Sequence, residues 1–99
     1  MAFDIDKVRT DFPILGRQVY KKPLVYLDNG ATTQKPEVVT DTLQDLYRRE
    51  NSSIHRGIHY LSGQMTIRYE AARETVRRFL NAASDNEIIF TSGATGSIN

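Results

Sequence analysis

Residues 87–99 read EIIFTSGATGSIN, and this stretch decides the fold class. Glu87–Thr91 is a short run with two isoleucines, a phenylalanine and a threonine, which predicts a β-strand. The turn formers Ser92 and Gly93 follow, and the residues after them predict the opening of a helix. A strand that passes through a glycine-containing turn into a helix is typical of α/β proteins.

The rest of the chain predicts three helices, a further short strand and a turn or hairpin. The first helix has a capping aspartate at its start and a proline after its end, and the second begins at a proline. The apolar residues of the third recur every three or four positions. In chain order we expect a helix over Asp4–Phe12 capped by Asp4 or Asp6, a hairpin in Gly16–Pro23, a strand Leu24–Leu27, and helices over Pro36–Glu50 and Ser62–Asn81.

Two short strands on three helices make a thin domain, because apolar strands are usually found inside larger sheets. We therefore expect an α/β fragment, the N-terminal part of a larger protein. If these residues fold alone, helix packing should dominate. The expected centre of that packing is Leu43, Leu46, Tyr69, Val76, Phe79 and Leu80. We also expect the ion pairs Glu70–Arg73 and Glu74–Arg78 on the solvent-exposed side of the third helix.

Composition excludes several classes of protein. The 99 residues are 39% hydrophobic and 25% charged, with a net charge of +1, which is globular and unlike a charge-driven nucleic-acid binder. There is no cysteine, so the chain has no disulfide, thiolate metal site or thiol nucleophile of its own. We find neither a membrane-spanning run nor a secretory signal at the N-terminus, and we expect a cytoplasmic protein without a membrane partner.

The turn Ser92–Ser97 is a candidate anion site. Free N–H groups at the start of a helix favour a negative charge, and Thr95 and Ser97 add hydroxyl donors. The stretch matches neither the Gly-Lys-Ser/Thr phosphate loop nor the Gly-x-Gly-x-x-Gly dinucleotide pattern. The alternative is that Ser92 or Thr95 only caps a helix.

Two other polar stretches are candidates. Asp28–Thr33 follows the predicted strand, so its backbone amides could meet a carboxylate, although a plain turn into the next helix is the alternative. In Ile54–His59, two histidines four apart suggest a metal, but Gly57 disfavours a helix and no third ligand is evident. We expect no metal there, and either polar contacts at a cleft or interface or a solvated loop.

Taken together, these stretches resemble a known family. YLDNGATTQKP at 26–36, HRGIH at 55–59 with Leu61-Ser62, and FTSGAT at 90–95 are similar in order and spacing to the N-terminus of Suf-type cysteine desulfurases. These enzymes are class V aminotransferases of the type I pyridoxal-phosphate fold. Asp6–Arg9 and Asp11–Pro13 also fit, so the resemblance covers nearly the whole chain.

The resemblance implies a role for each stretch. The cofactor phosphate would be held by Gly93, Ala94 and Thr95. The substrate pocket, near the amino-acid carboxylate, would be lined by Asn29, Gly30 and Ala31. The active-site mouth or a dimer contact would be formed by His55, Arg56 and His59. Residues 1–60 would form an N-terminal arm with the second helix, and residues 61–99 the first helix, strand and turn of the cofactor domain.

The implied enzyme takes sulfur from L-cysteine, giving L-alanine and an enzyme persulfide for iron–sulfur cluster assembly. It would be a homodimer with pyridoxal 5'-phosphate, and a SufE- or SufU-type protein would accept the sulfur. The lysine that binds the cofactor and the cysteine that takes the sulfur lie downstream in the family, so no catalytic residue is in this chain. We expect the full-length protein to be an enzyme, and the 99 residues alone to be inactive with weak cofactor binding.

Two stretches depart from the family pattern. Ser92, Ala94 and Gly96 stand where many Suf-type enzymes have Arg, Thr and Glu, and residues 29–33 differ from the more Ala/Ser-rich Suf form. A selenocysteine lyase or another class V pyridoxal-phosphate enzyme is therefore an alternative. The alternative from a different class is a free-standing binding or dimerisation module without catalysis.

Overall fold

The computed structural model describes residues 2–99 and divides them into two compact units, an N-terminal unit ending at Arg49 and a C-terminal unit beginning at Glu50. Within these residues are four α-helices and one two-stranded sheet. In chain order the elements are α1 (Ile5–Thr10), a 3₁₀ turn (Pro13–Gly16), β1 (Gln18–Val19), β2 (Lys22–Pro23), α2 (Glu37–Arg49), α3 (Tyr60–Leu80), a second 3₁₀ turn (Asp85–Glu87) and α4 (Ala94–Ile98).

The start of the N-terminal unit matches its sequence prediction. Asp4 caps α1 by accepting the N–H of Lys7 at 3.1 Å, so the first of the two candidate caps is the one used. The predicted hairpin in Gly16–Pro23 is confirmed as the antiparallel pair β1 and β2. Tyr20 and Lys21 both have positive φ, as a two-residue type I′ turn requires.

Helix α2 begins directly after Pro36, as expected for a proline at the edge of a helix. The N–H of Glu37 donates to the carbonyl of Asp11 at 2.7 Å, which joins the start of α2 to the end of α1. The apolar side of α2 is exposed: the exposed fraction is 70% for Val38 and 53% for Leu43. Neither helix has a buried residue, so no apolar core lies between α1 and α2.

Helix α3 is the longest element and carries the C-terminal unit. It begins two residues before the predicted Ser62, because His59 caps its start. Its C-cap residue, Asn81, has a left-handed conformation. Arg77 donates to the carbonyl of Ala82 at 2.8 Å and so satisfies a backbone acceptor just beyond the helix. The helix was predicted from its apolar residues at steps of three or four, and the His59 cap, which was not predicted, accounts for the earlier start.

The two predicted ion pairs on α3 have different outcomes. The Glu70–Arg73 pair is confirmed, with 2.6 Å between Oε2 and Nη2. Glu74 pairs chiefly with Arg77 at 2.7 Å, and Arg78 lies 3.9 Å away, so the predicted partner is the weaker one. Three-residue spacing brings Arg77 onto the same face as Glu74 and allows two parallel hydrogen bonds.

Both predicted apolar strands are wrong as secondary structure. Residues 24–27 lie outside any strand, and the Glu87–Thr91 segment begins in the 3₁₀ turn Asp85–Glu87 and continues without ladder pairing. A strand requires a neighbour to exchange backbone hydrogen bonds, and the described residues supply none for either run. The predicted helix opening after Gly93 is confirmed as α4 and makes a fourth helix.

The predicted packing centre is also wrong. Phe79 is 87% exposed, Leu80 61% and Leu43 53%, because neither unit by itself has a second layer over these side chains. Among the described residues, the buried ones are Ile88 at 7% and Ser62 at 1%. The best-packed point is thus a polar one, where a loop lies against α3. None of the helices within residues 2–99 has the length and apolarity needed to cross a membrane.

Candidate functional site

A loop of residues 53–59, here called the histidine loop, is attached to the first turn of α3 by Ser62. The Ser62 hydroxyl donates to the carbonyl of Ser53 at 2.7 Å and accepts the N–H of Gly57 at 3.1 Å. A Cβ on Gly57 would lie 2.6 Å from Ser62 Cβ, far inside van der Waals contact. Glycine at 57 is therefore what allows the loop to approach the helix so closely.

His55 is held at two points by the same helix. Its backbone lies in the left-handed region, with φ of 60°, and its N–H donates to the hydroxyl of Thr66 at 3.0 Å. Its imidazole Nε2 lies 2.9 Å from Oε1 of Glu70, and the Tyr69 ring meets it edge-on at 6.0 Å. The side chain is still 51% exposed, so the ring is oriented without being enclosed.

The carboxylate of Glu70 binds two partners through its two oxygens. Oε2 accepts both Nε and Nη2 of Arg73, at 3.0 and 2.6 Å, and Oε1 faces His55. The hydrogen bonds from Arg73 lower the pKa of the Glu70 carboxyl, with a smaller contribution from His55, and the same contact raises the pKa of Arg73. Glu70 is thus an ionised acceptor at neutral pH.

The two histidines of the loop make different contacts. His59 caps α3, because its Nδ1 accepts the N–H of Ser62 at 3.3 Å, whereas His55 binds Glu70. No group of three or more His, Cys, Asp or Glu side chains able to share a metal ion occurs in residues 2–99. Arg56 is exposed between them. In the structure His55 is thus bound to Glu70, and His59 caps α3.

The turn before α4 has the donors that a phosphate group would need. The hydroxyls of Thr91 and Ser97 lie 2.5 Å apart, and both also approach the carbonyl of Gly93, which accepts the Ser97 N–H as well. The first N–H groups of α4, on Ala94 and Thr95, precede the intrahelical bonds. These amides and the Thr95 hydroxyl form a donor-rich, carboxylate-free set, which fits a phosphate dianion.

The third candidate stretch is a compact turn in the N-terminal unit. The carbonyl of Asp28 accepts the N–H groups of Ala31 and Thr32 at 3.1 and 3.0 Å, and the Asn29 side chain accepts the N–H of Gln34 at 3.0 Å. Gly30 has open space around its Cα. The amide of Ala31 is thus used inside the turn, and the Gly30 side of the turn faces solvent.

The structure brings together side chains that the sequence analysis did not single out as site residues. Ser62, Thr66 and Glu70 all contact the histidine loop. From the sequence, Ser62 entered as the predicted start of a helix and through the family resemblance. Glu70 entered only as the partner of Arg73, and Thr66 only as part of a helix. Their spacing of four residues was the available signal, since it places them on one face of α3. The predicted site residues divide between the units: Asn29, Gly30 and Ala31 lie in the N-terminal one, and His55, Arg56, His59, Gly93, Ala94 and Thr95 lie in the C-terminal one.

Comparison with known proteins shows which family this chain is similar to. The family model described as aminotransferase class-V matches residues 25–99. A protein named cysteine desulfurase from Synechococcus elongatus is 57% identical over the whole chain, and a probable cysteine desulfurase from Staphylococcus aureus is 54% identical over 99% of it. The chain spans 16% and 24% of the length of these two relatives. With three quarters of its residues matched by the family model, the chain belongs to the class-V aminotransferases.

Proposed function

We propose that this chain is the N-terminal part of a pyridoxal-phosphate-dependent cysteine desulfurase. The enzyme would remove sulfur from L-cysteine, give L-alanine and an enzyme persulfide, and supply iron–sulfur cluster assembly. The observation that carries the proposal is the 54–57% identity, over 98 residues or more, with proteins named cysteine desulfurase or probable cysteine desulfurase.

In this proposal Gly93, Ala94 and Thr95 hold the phosphate of the cofactor. The Gly93 carbonyl accepts hydrogen bonds from the hydroxyls of Thr91 and Ser97 and from the N–H of Ser97. Because a trans peptide directs its N–H opposite to its C=O, the Ala94 N–H points away from that cluster. When bound, pyridoxal 5'-phosphate supplies an electron sink for bonds at the substrate Cα.

The remaining site residues are proposed to contact the substrate or the partner subunit. Asn29, Gly30 and Ala31 would line the pocket near the amino-acid carboxylate, which the exposed side of the Gly30 turn supports. His55, Arg56 and His59 would stand at the active-site mouth or at a dimer contact. Their exposed side chains on a loop whose backbone is anchored to α3 suit either position.

The chain has no cysteine, and its four lysines lie at 7, 21, 22 and 35, none at the position that the family uses for the cofactor. The persulfide and the covalent cofactor link would therefore come from residues outside this sequence. We propose a cytoplasmic homodimer that passes its sulfur to an acceptor protein, with residues 1–60 as an arm and residues 61–99 opening the cofactor domain. The 99 residues alone would not turn over cysteine.

The first test is the intact mass and absorption spectrum of the native protein, followed by alanine release from L-cysteine. We expect a yellow subunit several times heavier than 11.3 kDa that forms alanine. In this protein, Thr95→Ala should weaken cofactor binding about tenfold through loss of one hydrogen bond to a charged group, and Thr95→Ser should not. A colourless protein that forms no alanine would refute the proposal, and a strong preference for L-selenocysteine would assign the lyase instead.

A further inference from the structure

The other contacts of the Glu70 carboxylate determine which group donates the hydrogen bond between His55 and Glu70. Both nitrogen donors of Arg73 occupy Oε2 of Glu70, at 3.0 and 2.6 Å, and leave Oε1 for the imidazole at 2.9 Å. A carboxylate paired in this way with a guanidinium remains ionised and can only accept hydrogen bonds. Nε2 of His55 must therefore carry the proton of this bond.

That assignment determines what the other ring nitrogen does. In a neutral imidazole one nitrogen donates and the other accepts, so a proton on Nε2 leaves Nδ1 as an acceptor. Within residues 2–99, no hydrogen bond to His55 Nδ1 occurs, and half of the side chain is exposed. In its neutral form the ring thus presents an accepting nitrogen to whatever lies in front of the histidine loop.

The orientation of the ring is held by more than one bond. Thr66 binds the backbone N–H of His55 and itself donates to the carbonyl of Ser62, so it ties the left-handed residue to the helix. Tyr69 meets His55 edge-on at 6.0 Å and is in turn met edge-on by Phe90 at 5.4 Å. A ring fixed at its backbone, its Nε2 and its flank has few other orientations available.

We infer that Glu70 and Thr66 are positioning residues that hold His55 with Nε2 protonated and Nδ1 free to accept a hydrogen bond from the ammonium or thiol group of the substrate. The substrate side of this inference rests on the proposed function, in which the histidine loop stands at the mouth of the active site. The orienting side rests on the contacts within the C-terminal unit. A carboxylate that fixes a histidine tautomer is a common device in enzymes.

The tautomer is tested by NMR on the full-length protein labelled with ¹⁵N-histidine, with His55 assigned from the signals lost in His55→Gln. At about pH 8.5, where an ordinary imidazole is neutral, we expect a proton signal on Nε2 and an unprotonated Nδ1. In Glu70→Gln the Nε2 proton should exchange with water at least about tenfold faster, because its hydrogen bond to a charged acceptor is lost.

Glu74 provides a control, since it also binds an arginine three residues further along α3 and has no histidine partner; Arg77 donates to both of its oxygens, Nε to Oε2 and Nη2 to Oε1. Glu74→Gln should leave the His55 signals unchanged. Thr66→Ser keeps the hydroxyl and should keep the His55 amide protected from exchange, whereas Thr66→Val should expose it. A proton on Nδ1 in the unmodified protein, or the same exchange rate in Glu70→Gln, would overturn the inference.

The substrate side is tested by steady-state kinetics with L-cysteine. Glu70→Gln and His55→Gln should each raise KM about fivefold through loss of one hydrogen bond, with a smaller effect on kcat, and Glu74→Gln should change neither. An unchanged KM in an active Glu70→Gln variant would overturn the inference while the proposed function stands. A protein that turns over neither L-cysteine nor L-selenocysteine would overturn the proposed function and, with it, the substrate role of Nδ1.

Discussion

Replacing Gly57 by alanine should destabilise the C-terminal unit more than the same replacement at any other glycine of that unit. The added Cβ would lie 2.6 Å from Ser62 Cβ, 2.7 Å from its Oγ and 2.9 Å from Nε2 of His59. Carbon atoms in proteins pack at about 3.5–4.0 Å, so the loop and helix must separate by about 1 Å. Backbone strain plays no part, because Gly57 does not lie in the left-handed region of φ.

The expected cost follows from what that separation breaks. Overpacking a tight site costs about 1–3 kcal/mol, and displacement of Ser62 also weakens its bonds to Ser53 and Gly57, worth about 1 kcal/mol each. We therefore expect a loss of about 3 kcal/mol in the free energy of unfolding. Ser62 cannot move aside at low cost because it is 1% exposed in the first turn of α3.

Gly63→Ala is the matched control for this experiment. Gly63 lies in α3, and a methyl group on its Cα would have nothing within 4 Å, so the same substitution should stabilise the helix by about 0.5–1 kcal/mol. Urea unfolding followed by circular dichroism measures both variants in the protein that carries this chain, and amide exchange over residues 53–66 reports the local effect. A Gly57→Ala variant as stable as the unmodified protein would refute the packing argument.

Three further predictions concern local contacts. Removing the α1 cap with Asp4→Ala should cost about 1 kcal/mol of local helix stability, seen as faster amide exchange over residues 5–8. Arg77→Ala should speed exchange at residues 80–83, because the bond to the Ala82 carbonyl is lost, and an unchanged rate there would contradict the capping role. Arg73 lowers the pKa of Glu70, so the stability from this pair is present above the ordinary carboxyl pKa and is lost as pH falls through the lowered value. The difference in unfolding free energy between the unmodified protein and Glu70→Gln should therefore vanish as the pH is lowered through that range.

Local sequence features predicted the helices and the hairpin within about two residues because their causes are local. Asp4 and Pro36 mark helix starts, and the apolar period of α3 extends over its whole length. The apolar strands failed for the opposite reason. Residues 24–27 and 87–91 have strand-like composition, but strand formation depends on a partner that the described residues do not provide.

The candidate site was predictable in its segments and unpredictable in its contacts. HRGIH and SGAT stood out as chemically rich stretches next to predicted turns, and the family model covers both. The part played by Glu70 did not stand out, since a glutamate on a helix with an arginine three residues later is an ordinary surface pair. Its bond to His55 joins residues fifteen apart, and only the folded loop brings them together.

The sequence alone determined the helix periods, the capped ends, the turn chemistry and the family to which the chain belongs. These depend on neighbours within one or two helical turns, or on the order of motifs along the chain. The tertiary structure decided which polar residue would be buried, which glycine would be indispensable and which nitrogen of His55 would carry the proton. Each of these depends on Gly57 and His55 being folded against Ser62, Thr66 and Glu70, a close approach that no local pattern encodes.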